Sequence, residues 1–178
     1  MGPIEEADGA RVKNFAGAGR LMTEPDHAPV VVRPPILFGG TLVLAFVLEA
    51  VVPLGPGLGG GTGRAVAVGL SIAVLGGAIV AMAANRFNQA GTNLPTWEPT
   101  LALVKTGPFR FSRNPIYIGL LLIYFGLATA LTSVWALLFL PALLAIVHYG
   151  IVLREEAYLA EKFGAAYTSY QARVPRWL

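Results

Sequence analysis

The amino-acid sequence predicts an all-α integral membrane protein, with about four transmembrane helices and a C-terminal amphipathic helix on the cytoplasmic side. Of its 178 residues, 55% are hydrophobic and only 13% are charged. A soluble domain carries about 25% charged residues, so this composition is typical of a protein that lies within the bilayer. The apolar residues fall into four stretches, each close to the ~20 residues that a helix needs to cross a membrane.

The sequence divides into a polar N-terminal tail, residues 1–34, and a membrane domain, residues 35–178. Charges of both signs are mixed in the tail, as at Glu5, Arg11 and Asp26. No apolar run follows a basic start there, so we expect a cytoplasmic tail without a cleavable signal peptide.

The four predicted spans follow one another through short connections. They cover residues 35–54, 65–84, 115–131 and 133–153. The glycine-rich residues 55–63 predict a flexible turn after the first span. Little more than Thr132 and Ser133 separates the last two spans, which should therefore form a tight antiparallel hairpin. Glu49 lies near the outer end of the first span, where we expect its carboxylate to reach the membrane interface.

Small residues four positions apart predict close helix packing on two of these spans. The pairs are Gly77 with Ala81 and Gly126 with Ala130. Beyond the fourth span, apolar residues recur every three or four positions. They are Leu159, Phe163, Tyr167, Tyr170 and Val174. This stripe predicts an amphipathic helix that either anchors at the membrane interface or covers a pocket facing the cytoplasm.

The distribution of basic residues predicts the orientation of the spans. Four precede the first span, one follows it, four lie between the second and third, and four follow the last. They are Arg11, Lys13, Arg20 and Arg33; Arg64; Arg86, Lys105, Arg110 and Arg113; and Arg154, Lys162, Arg173 and Arg176. Four spans with both termini in the cytoplasm satisfy the positive-inside rule. The connection between spans two and three then shares the cytoplasmic face with the C-terminal region.

Composition also excludes several classes of site. The chain has no cysteine, which excludes disulfides, thiolate metal sites and a cysteine nucleophile. Its two histidines, His27 and His148, are far apart in sequence, so we predict no metal site. The net charge of +3 is interpreted as membrane topology, and no nucleic-acid binding is expected.

A first polar cluster stands at the entrance of the third span. Pro115 suits the first turn of a helix and places Asn114 near its N-cap. The free N–H groups there, together with the Arg113 guanidinium, could hold an anion or a carboxylate. Tyr117 lies just inside the span, and Gly119 allows a backbone or a ligand to approach. The alternative is ordinary helix capping with basic flanking residues.

A second polar cluster stands where the fourth span ends. His148 and Glu155 are seven positions apart and should share one helix face. A histidine within a membrane is a functional candidate, the alternative being a hydrogen bond between helices. The pair Glu155–Glu156, preceded by Arg154, is costly at low dielectric unless it is solvated, paired with arginines or bound to a ligand. Arginines for a carboxylate and acids for an ammonium or ribose would suit S-adenosylmethionine.

Two stretches of the second half resemble the isoprenylcysteine carboxyl methyltransferase family, within the wider group that includes phospholipid N-methyltransferases. The first is residues 90–122, which contains GPFRFSRNPIYIG. The second is residues 148–159, HYGIVLREEAYL, followed by a Phe-Gly pair, two tyrosines and the ending RVPRW. Both motifs occur in order and at suitable separation. The Arg-Asn-Pro variant resembles prokaryotic-type members.

This resemblance implies a small membrane enzyme that binds S-adenosylmethionine at the cytoplasmic face and takes a lipophilic acceptor from the bilayer. By position, the matched cofactor-binding residues are Arg113, Asn114, Pro115, Tyr117, Gly119, His148, Arg154, Glu155 and Glu156. Among them Arg113, Asn114, Glu155 and Glu156 are the catalytic candidates. Asn114 stands where many members have histidine, and since asparagine does not titrate, a general base at that position is not expected.

The identity of the acceptor stays open at this point. An isoprenylcysteine carboxylate is ionised at neutral pH and needs no base, whereas a protonated amine must first lose a proton. This difference favours the prenylated carboxylate over the alternatives, a phospholipid amine or a small lipophilic thiol or acid. The rival class is a non-catalytic membrane scaffold or transporter-like module, which would bind no S-adenosylmethionine.

Overall fold

The computed structural model describes residues 26–58, 60–93 and 98–178, and all regular structure in these residues is helical. Most of the predicted N-terminal tail, residues 1–25, lies outside the described part. The helices are α1 (Pro34–Val51), α2 (Gly63–Gln89), a 3₁₀-helix (Gly107–Arg110), α3 (Pro115–Ala130), α4 (Val134–Ala145), a π-helix (Ile146–Val152), α5 (Leu153–Phe163) and α6 (Ala165–Gln171). The all-α fold class is thereby confirmed.

Within the described ranges, three helical stretches are long and apolar enough to cross a membrane. They are Pro34–Val51, Gly63–Gln89 and the continuous rod Val134–Phe163, which joins α4, the π-helix and α5. Helix α3 is apolar but has only 16 residues, which is shorter than the ~20 needed for a full span. Helix α2 continues beyond the predicted end at residue 84 to Gln89, and the Arg86 side chain donates to Gln89 Oε1 (2.9 Å) across its last turn.

Helices α2 and α3 pack with their backbones in close approach. A Cβ atom added to Gly76 would lie 2.5 Å from the Gly119 carbonyl oxygen, and one added to Gly119 would lie 2.7 Å from the Gly76 carbonyl oxygen. Gly69 and Gly126 face each other in the same way. Close packing is thus confirmed at Gly126, but the prediction for Gly77 is wrong, since a Cβ there would meet open space. The preceding residue, on a different face of α2, makes the contact instead.

The carboxylate of Glu49 is buried where α1 packs against the start of α4. This residue is only 2% exposed. It accepts hydrogen bonds from the backbone N–H groups of Leu54 and Trp135, both at 3.1 Å, and from Ser133 Oγ at 3.2 Å. The prediction that it reaches the membrane interface is wrong, because these three donors satisfy the charge inside the protein.

The turn between α3 and α4 is as tight as the sequence predicts. Thr132 adopts a positive φ of 54°, and Ser133 serves as the N-cap of α4 by accepting a hydrogen bond from the Ala136 N–H group at 3.3 Å. The two helices therefore form an antiparallel hairpin.

The predicted amphipathic helix consists of two helices, because the chain breaks at Gly164 with a φ of 50°. Its tyrosines Tyr167 and Tyr170 are buried, and Tyr170 Oη donates to the Phe109 carbonyl oxygen at 2.7 Å. The apolar stripe therefore faces the 3₁₀-helix and the protein interior, an arrangement that agrees with the alternative of a cover over a pocket.

The described end of the N-terminal region, residues 26–33, lies against the π-helix and α5. The Val31 N–H group donates to the Gly150 carbonyl oxygen at 3.1 Å, and Arg154 Nη1 donates to the Pro29 carbonyl oxygen at 3.0 Å. Residues before α1 thus contribute to the packing of the membrane domain.

Candidate functional site

A cavity of about 280 Å³ lies where the start of α3 meets the end of α2, helices α5 and α6, and the segment that precedes α1. Apolar side chains make up most of its walls, among them Pro34 and Leu120. Polar side chains of both predicted clusters reach it. They are Arg113, Asn114, Tyr117 and Glu155, joined by Asn93, Thr100, Tyr158, Tyr167 and Tyr170.

The start of α3 holds the first cluster in a defined backbone geometry. Pro115 is the first residue of the helix and Asn114 its N-cap, as the sequence predicts. The Asn114 side chain makes no cap hydrogen bond. Its Nδ2 group donates to the Arg176 carbonyl oxygen at 3.0 Å and, at a longer 3.4 Å, to Glu156 Oε1. The backbone N–H group of Asn114 donates to Ser112 Oγ at 3.1 Å.

Glu155 brings a carboxylate to the cavity wall. Tyr117 Oη donates a hydrogen bond to Glu155 Oε1 at 2.7 Å, which joins the two predicted clusters across the cavity. In the described part of the chain, the salt bridges do not include Glu155. Its carboxyl group is therefore open to a ligand that offers an ammonium or a hydroxyl group.

Glu156 lies beside the cavity at the centre of an ion-pair network. Its Oε2 atom is 3.2 Å from Arg113 Nη1 and 2.9 Å from Arg176 Nη2, and it also accepts from Arg176 Nε at 3.1 Å. Its exposed fraction is 5%. The neighbouring carboxylate also raises the pKa of the Arg176 guanidinium.

Arg113 is the cation that links this network to the cavity. Its side chain is 10% exposed, and its backbone N–H group donates to the Pro175 carbonyl oxygen at 3.0 Å. The Nε atom is buried and has no hydrogen-bond partner among the described residues. A buried unsatisfied donor costs about 1–3 kcal/mol, so an anionic group bound next to it would be favoured.

Three other predicted residues lie outside the cavity. Gly119 contacts α2, which is the backbone approach that its small size predicts. Arg154 is exposed and bonded to Pro29. His148 accepts a hydrogen bond at Nδ1 from Trp177 Nε1 (3.2 Å) and does not line the cavity. The expectation that it shares a face with Glu155 assumed regular α-helix, whereas the wider turns of the π-helix rotate it away.

Sequence reasoning missed several contributors to this site, and two of them make contacts between distant segments. Arg176 was counted only as a basic residue and as part of the RVPRW ending, yet it binds Glu156. Tyr158 Oη bonds to Asp26 Oδ1 (3.0 Å) and accepts from the Thr100 N–H group (3.3 Å) at the rim of the cavity. No local pattern announces either contact, because each joins segments that are distant in sequence.

Two buried phenols complete the wall that α6 contributes. Burial raises the pKa of Tyr167 to about 12 and shifts the pKa of Tyr170 upward as well. Both side chains therefore stay protonated at neutral pH, and they line the cavity as uncharged groups.

Comparison with known proteins places these features in a family context. A family model described as phospholipid methyltransferase matches residues 64–166, which is more than half of the 178-residue chain. The matched range includes all nine predicted site residues and ends before Arg176. No curated protein and no solved structure matches the chain.

Proposed function

The chain belongs to the phospholipid methyltransferase family, and on that premise we propose that it transfers the methyl group of S-adenosylmethionine to a lipophilic acceptor, with an isoprenylcysteine carboxylate as the first candidate. The family is one of membrane methyltransferases, which agrees with the apolar helices of the chain. The identities of the cofactor and of the acceptor go beyond family membership and are proposed here.

One observation carries the proposal. The cavity combines a cluster of polar side chains with apolar walls, in a chain whose helices can cross a membrane. A site for a charged cofactor and a lipophilic acceptor needs a polar surface next to an apolar one. A scaffold would not need a cavity beside Arg113, whose buried Nε lacks a hydrogen-bond partner in the described part of the chain, because an unsatisfied donor is costly without a ligand.

The side chains present fit S-adenosylmethionine. The unpartnered Nε of Arg113 suits a carboxylate, such as that of the methionine portion. The Glu155 carboxylate suits an ammonium group or ribose hydroxyls. Asn114 and the first turn of α3, beginning at Pro115, offer further polar contacts. When bound, the cofactor supplies a methyl group on a positively charged sulfur, which is already activated for transfer.

The task of the protein is then to align the reactants and to exclude water. Tyr117 fixes the Glu155 carboxylate through its 2.7 Å hydrogen bond. Apolar side chains such as Leu120 and Val104 line the cavity and would reduce contact of the bound reactants with water. Asn114 binds and does not move a proton, since its amide does not titrate. A carboxylate acceptor fits this site because it is already ionised at neutral pH.

A phospholipid amine is the second candidate acceptor. The description of the matching family favours it. The position of Glu155 on the cavity wall also favours it, since a carboxylate there could hold the ammonium form of the amine and accept its proton. Prenylated carboxylate and phospholipid amine thus differ in whether they require Glu155 as a base.

Binding and transfer experiments test the proposal in sequence. Calorimetry with S-adenosylhomocysteine on the detergent-solubilised protein should show binding, together with thermal stabilisation by the ligand. Absence of both would overturn the methyltransferase proposal in favour of a scaffold or transporter-like module. Transfer of a labelled methyl group should then be followed to prenylcysteine analogues, phospholipid amines and small lipophilic thiols or acids. The acceptor that is methylated identifies the class.

We further place the site and both termini on the cytoplasmic face, in line with the positive-inside distribution. Because the chain has no cysteine, single cysteines can be introduced without removing native ones. In cells or sealed vesicles, a cysteine at Leu178 should be protected from an impermeant thiol reagent added outside, and a cysteine at Leu58, which is 45% exposed, should react. The reverse pattern would contradict this orientation.

A further inference from the structure

Two adjacent carboxylates of α5 have different surroundings. Glu155 lines the cavity and accepts one hydrogen bond, from Tyr117. Glu156 does not line the cavity and is 5% exposed. Successive side chains of an α-helix point about 100° apart, so one residue can face the cavity while its neighbour faces the segment behind it.

The carboxylate of Glu156 is occupied by protein groups on both oxygens. Its Oε2 atom contacts Arg113 at 3.2 Å and Arg176 at 2.9 Å, and its Oε1 atom accepts the long hydrogen bond from Asn114. Two cations already face this one negative charge. A ligand would have to displace one of them to reach it.

The same contacts attach residues 175–177 to the site. The carbonyl oxygen of Arg176 accepts hydrogen bonds from Ser112 Oγ at 3.1 Å and from Asn114 Nδ2 at 3.0 Å. The carbonyl oxygen of Pro175 accepts from the Arg113 N–H group at 3.0 Å. Arg113 is thereby held by its backbone and by Nη1, while its Nε remains without a partner in the described chain.

We propose that the acidic pair divides its work: Glu155 contacts the bound ligand, whereas Glu156 is a positioning residue that acts, with Arg176 as its partner, by holding Arg113 and Asn114 at the cavity. This division rests on the proposed function. It also extends the site beyond the residues matched by the family model, which end at residue 166.

A double-mutant comparison tests the division through the dissociation constant of S-adenosylhomocysteine. Arg176→Gln and Glu156→Gln should each raise this constant about five- to ten-fold. The double variant should resemble Glu156→Gln alone, because the Arg176 side chain acts through Glu156 and loses its partner in that variant. Glu155→Gln combined with Arg176→Gln should instead show the product of the two single effects. Arg176→Lys should restore only part of the affinity, since lysine keeps the charge but cannot donate as both Nε and Nη2 of the arginine do.

A second measurement reports positioning without ligand. A spin label on a cysteine at Leu178, which is 87% exposed, should become more mobile in Arg176→Gln and in Glu156→Gln. It should keep its mobility in Glu155→Gln. Arg173→Gln is the matched control, because Arg173 Nε bonds to the Ser169 carbonyl oxygen and its side chain contacts no carboxylate among the described residues. This control should change neither the label nor the dissociation constant.

The outcomes separate this inference from the proposed function. If the unaltered protein binds no S-adenosylhomocysteine, the proposed function fails and the division falls with it. If it binds, but Arg176→Gln leaves the dissociation constant unchanged or couples to Glu155 as strongly as to Glu156, the division alone is overturned. Should Glu156→Gln fail to fold, the pair Arg176→Gln and Glu155→Gln still decides, because the Arg176 side chain is 35% exposed and less critical to packing.

Discussion

Two buried carboxylates, Glu49 and Glu156, mark opposite ends of the bundle. Pro34, which lines the cavity, and Glu49 are 15 positions apart on α1, or about 22 Å at ~1.5 Å per residue. The exposed fractions of the two acids are 2% for Glu49 and 5% for Glu156. Burial of a charge alone therefore does not distinguish a functional site from a structural one.

Their partners distinguish them. Glu49 is satisfied by neutral donors, two backbone N–H groups and a serine hydroxyl, and it lines neither cavity described for this chain. Glu156 is satisfied by cations, and one of these, Arg113, carries a buried unpartnered nitrogen at the wall of a cavity. A polar cluster indicates a binding site when one of its hydrogen-bonding groups is unsatisfied and lies next to a cavity.

The largest effect is expected when the unsatisfied hydrogen-bonding group of Arg113 is removed. Arg113→Met should raise the dissociation constant of S-adenosylhomocysteine about 100-fold, near the upper end of the ~1.5–3 kcal/mol of a hydrogen bond to a charged group. Calorimetry measures this effect. Arg110→Met is the matched control, an exposed arginine of the same segment that does not line the cavity. Equal effects in the two variants would show that general positive charge, and not Arg113, attracts the ligand.

At the opposite end, Glu49→Gln should lower the free energy of unfolding by about 1–3 kcal/mol, because the amide cannot satisfy all three donors. Thermal unfolding in detergent measures this loss, with the exposed Glu161→Gln as control. The affinity of the folded protein for S-adenosylhomocysteine should not change. A loss of affinity larger than the loss of folded protein would place Glu49 in the functional network.

Glu155→Gln tests whether this carboxylate contacts the ligand. Glutamine can still accept the hydrogen bond from Tyr117, so the free energy of unfolding should change little. The dissociation constant of S-adenosylhomocysteine should rise about ten-fold, or ~1.4 kcal/mol, for the lost charge. Methylthioadenosine lacks the amino-acid portion of the ligand. An effect confined to S-adenosylhomocysteine assigns Glu155 to the ammonium group, an effect on both assigns it to the ribose, and no effect on either contradicts contact with the ligand.

The smallest effect is expected at the rim of the cavity, where Lys162 Nζ lies 2.6 Å from Asp26 Oδ1. The hydrogen bond from Lys162 is the main reason why the pKa of Asp26 lies below its usual value. A lowered pKa stabilises the folded protein above the unfolded value of about 4, and this contribution is lost as the pH falls through the folded value. Asp26→Asn should therefore change thermal stability only slightly between pH 5 and 8 and flatten its decline below pH 4.

A steeper decline of the Asp26→Asn variant at acid pH would contradict this assignment. The Asp26 side chain is 61% exposed, so solvent screens the pair strongly. It contrasts with both buried acids, whose partners are held within the protein.

Local patterns predicted the helices well, because length, hydropathy and proline position act within one segment. Pro115 begins α3 and Ser133 begins α4 as expected. The polar residues at the start of α3 and at the end of the predicted fourth span also indicated the right region for a cavity. The pairing of Arg113 with Glu156 and of Tyr117 with Glu155 follows from having both clusters at one end of the bundle.

Other features depended on contacts that no local pattern contains. Two of the three donors to Glu49, from Ser133 and Trp135, lie far along the chain, so its burial could not be predicted from its own span. The π-helix turns the His148 side chain away from the face of Glu155, although the sequence of residues 146–152 is typical of an apolar α-helix. Arg176 resembles any basic flanking residue until the chain folds back onto Glu156.

The close contact of α2 and α3 has a consequence for lipid traffic. Where Gly76 meets Gly119, the gap is too narrow for one added methyl carbon, and Gly69 and Gly126 close it again further along. A hydrocarbon tail is wider than that gap, so a lipid cannot pass between α2 and α3 at these positions. A membrane-dissolved molecule that reaches the cavity must enter by another side of the bundle.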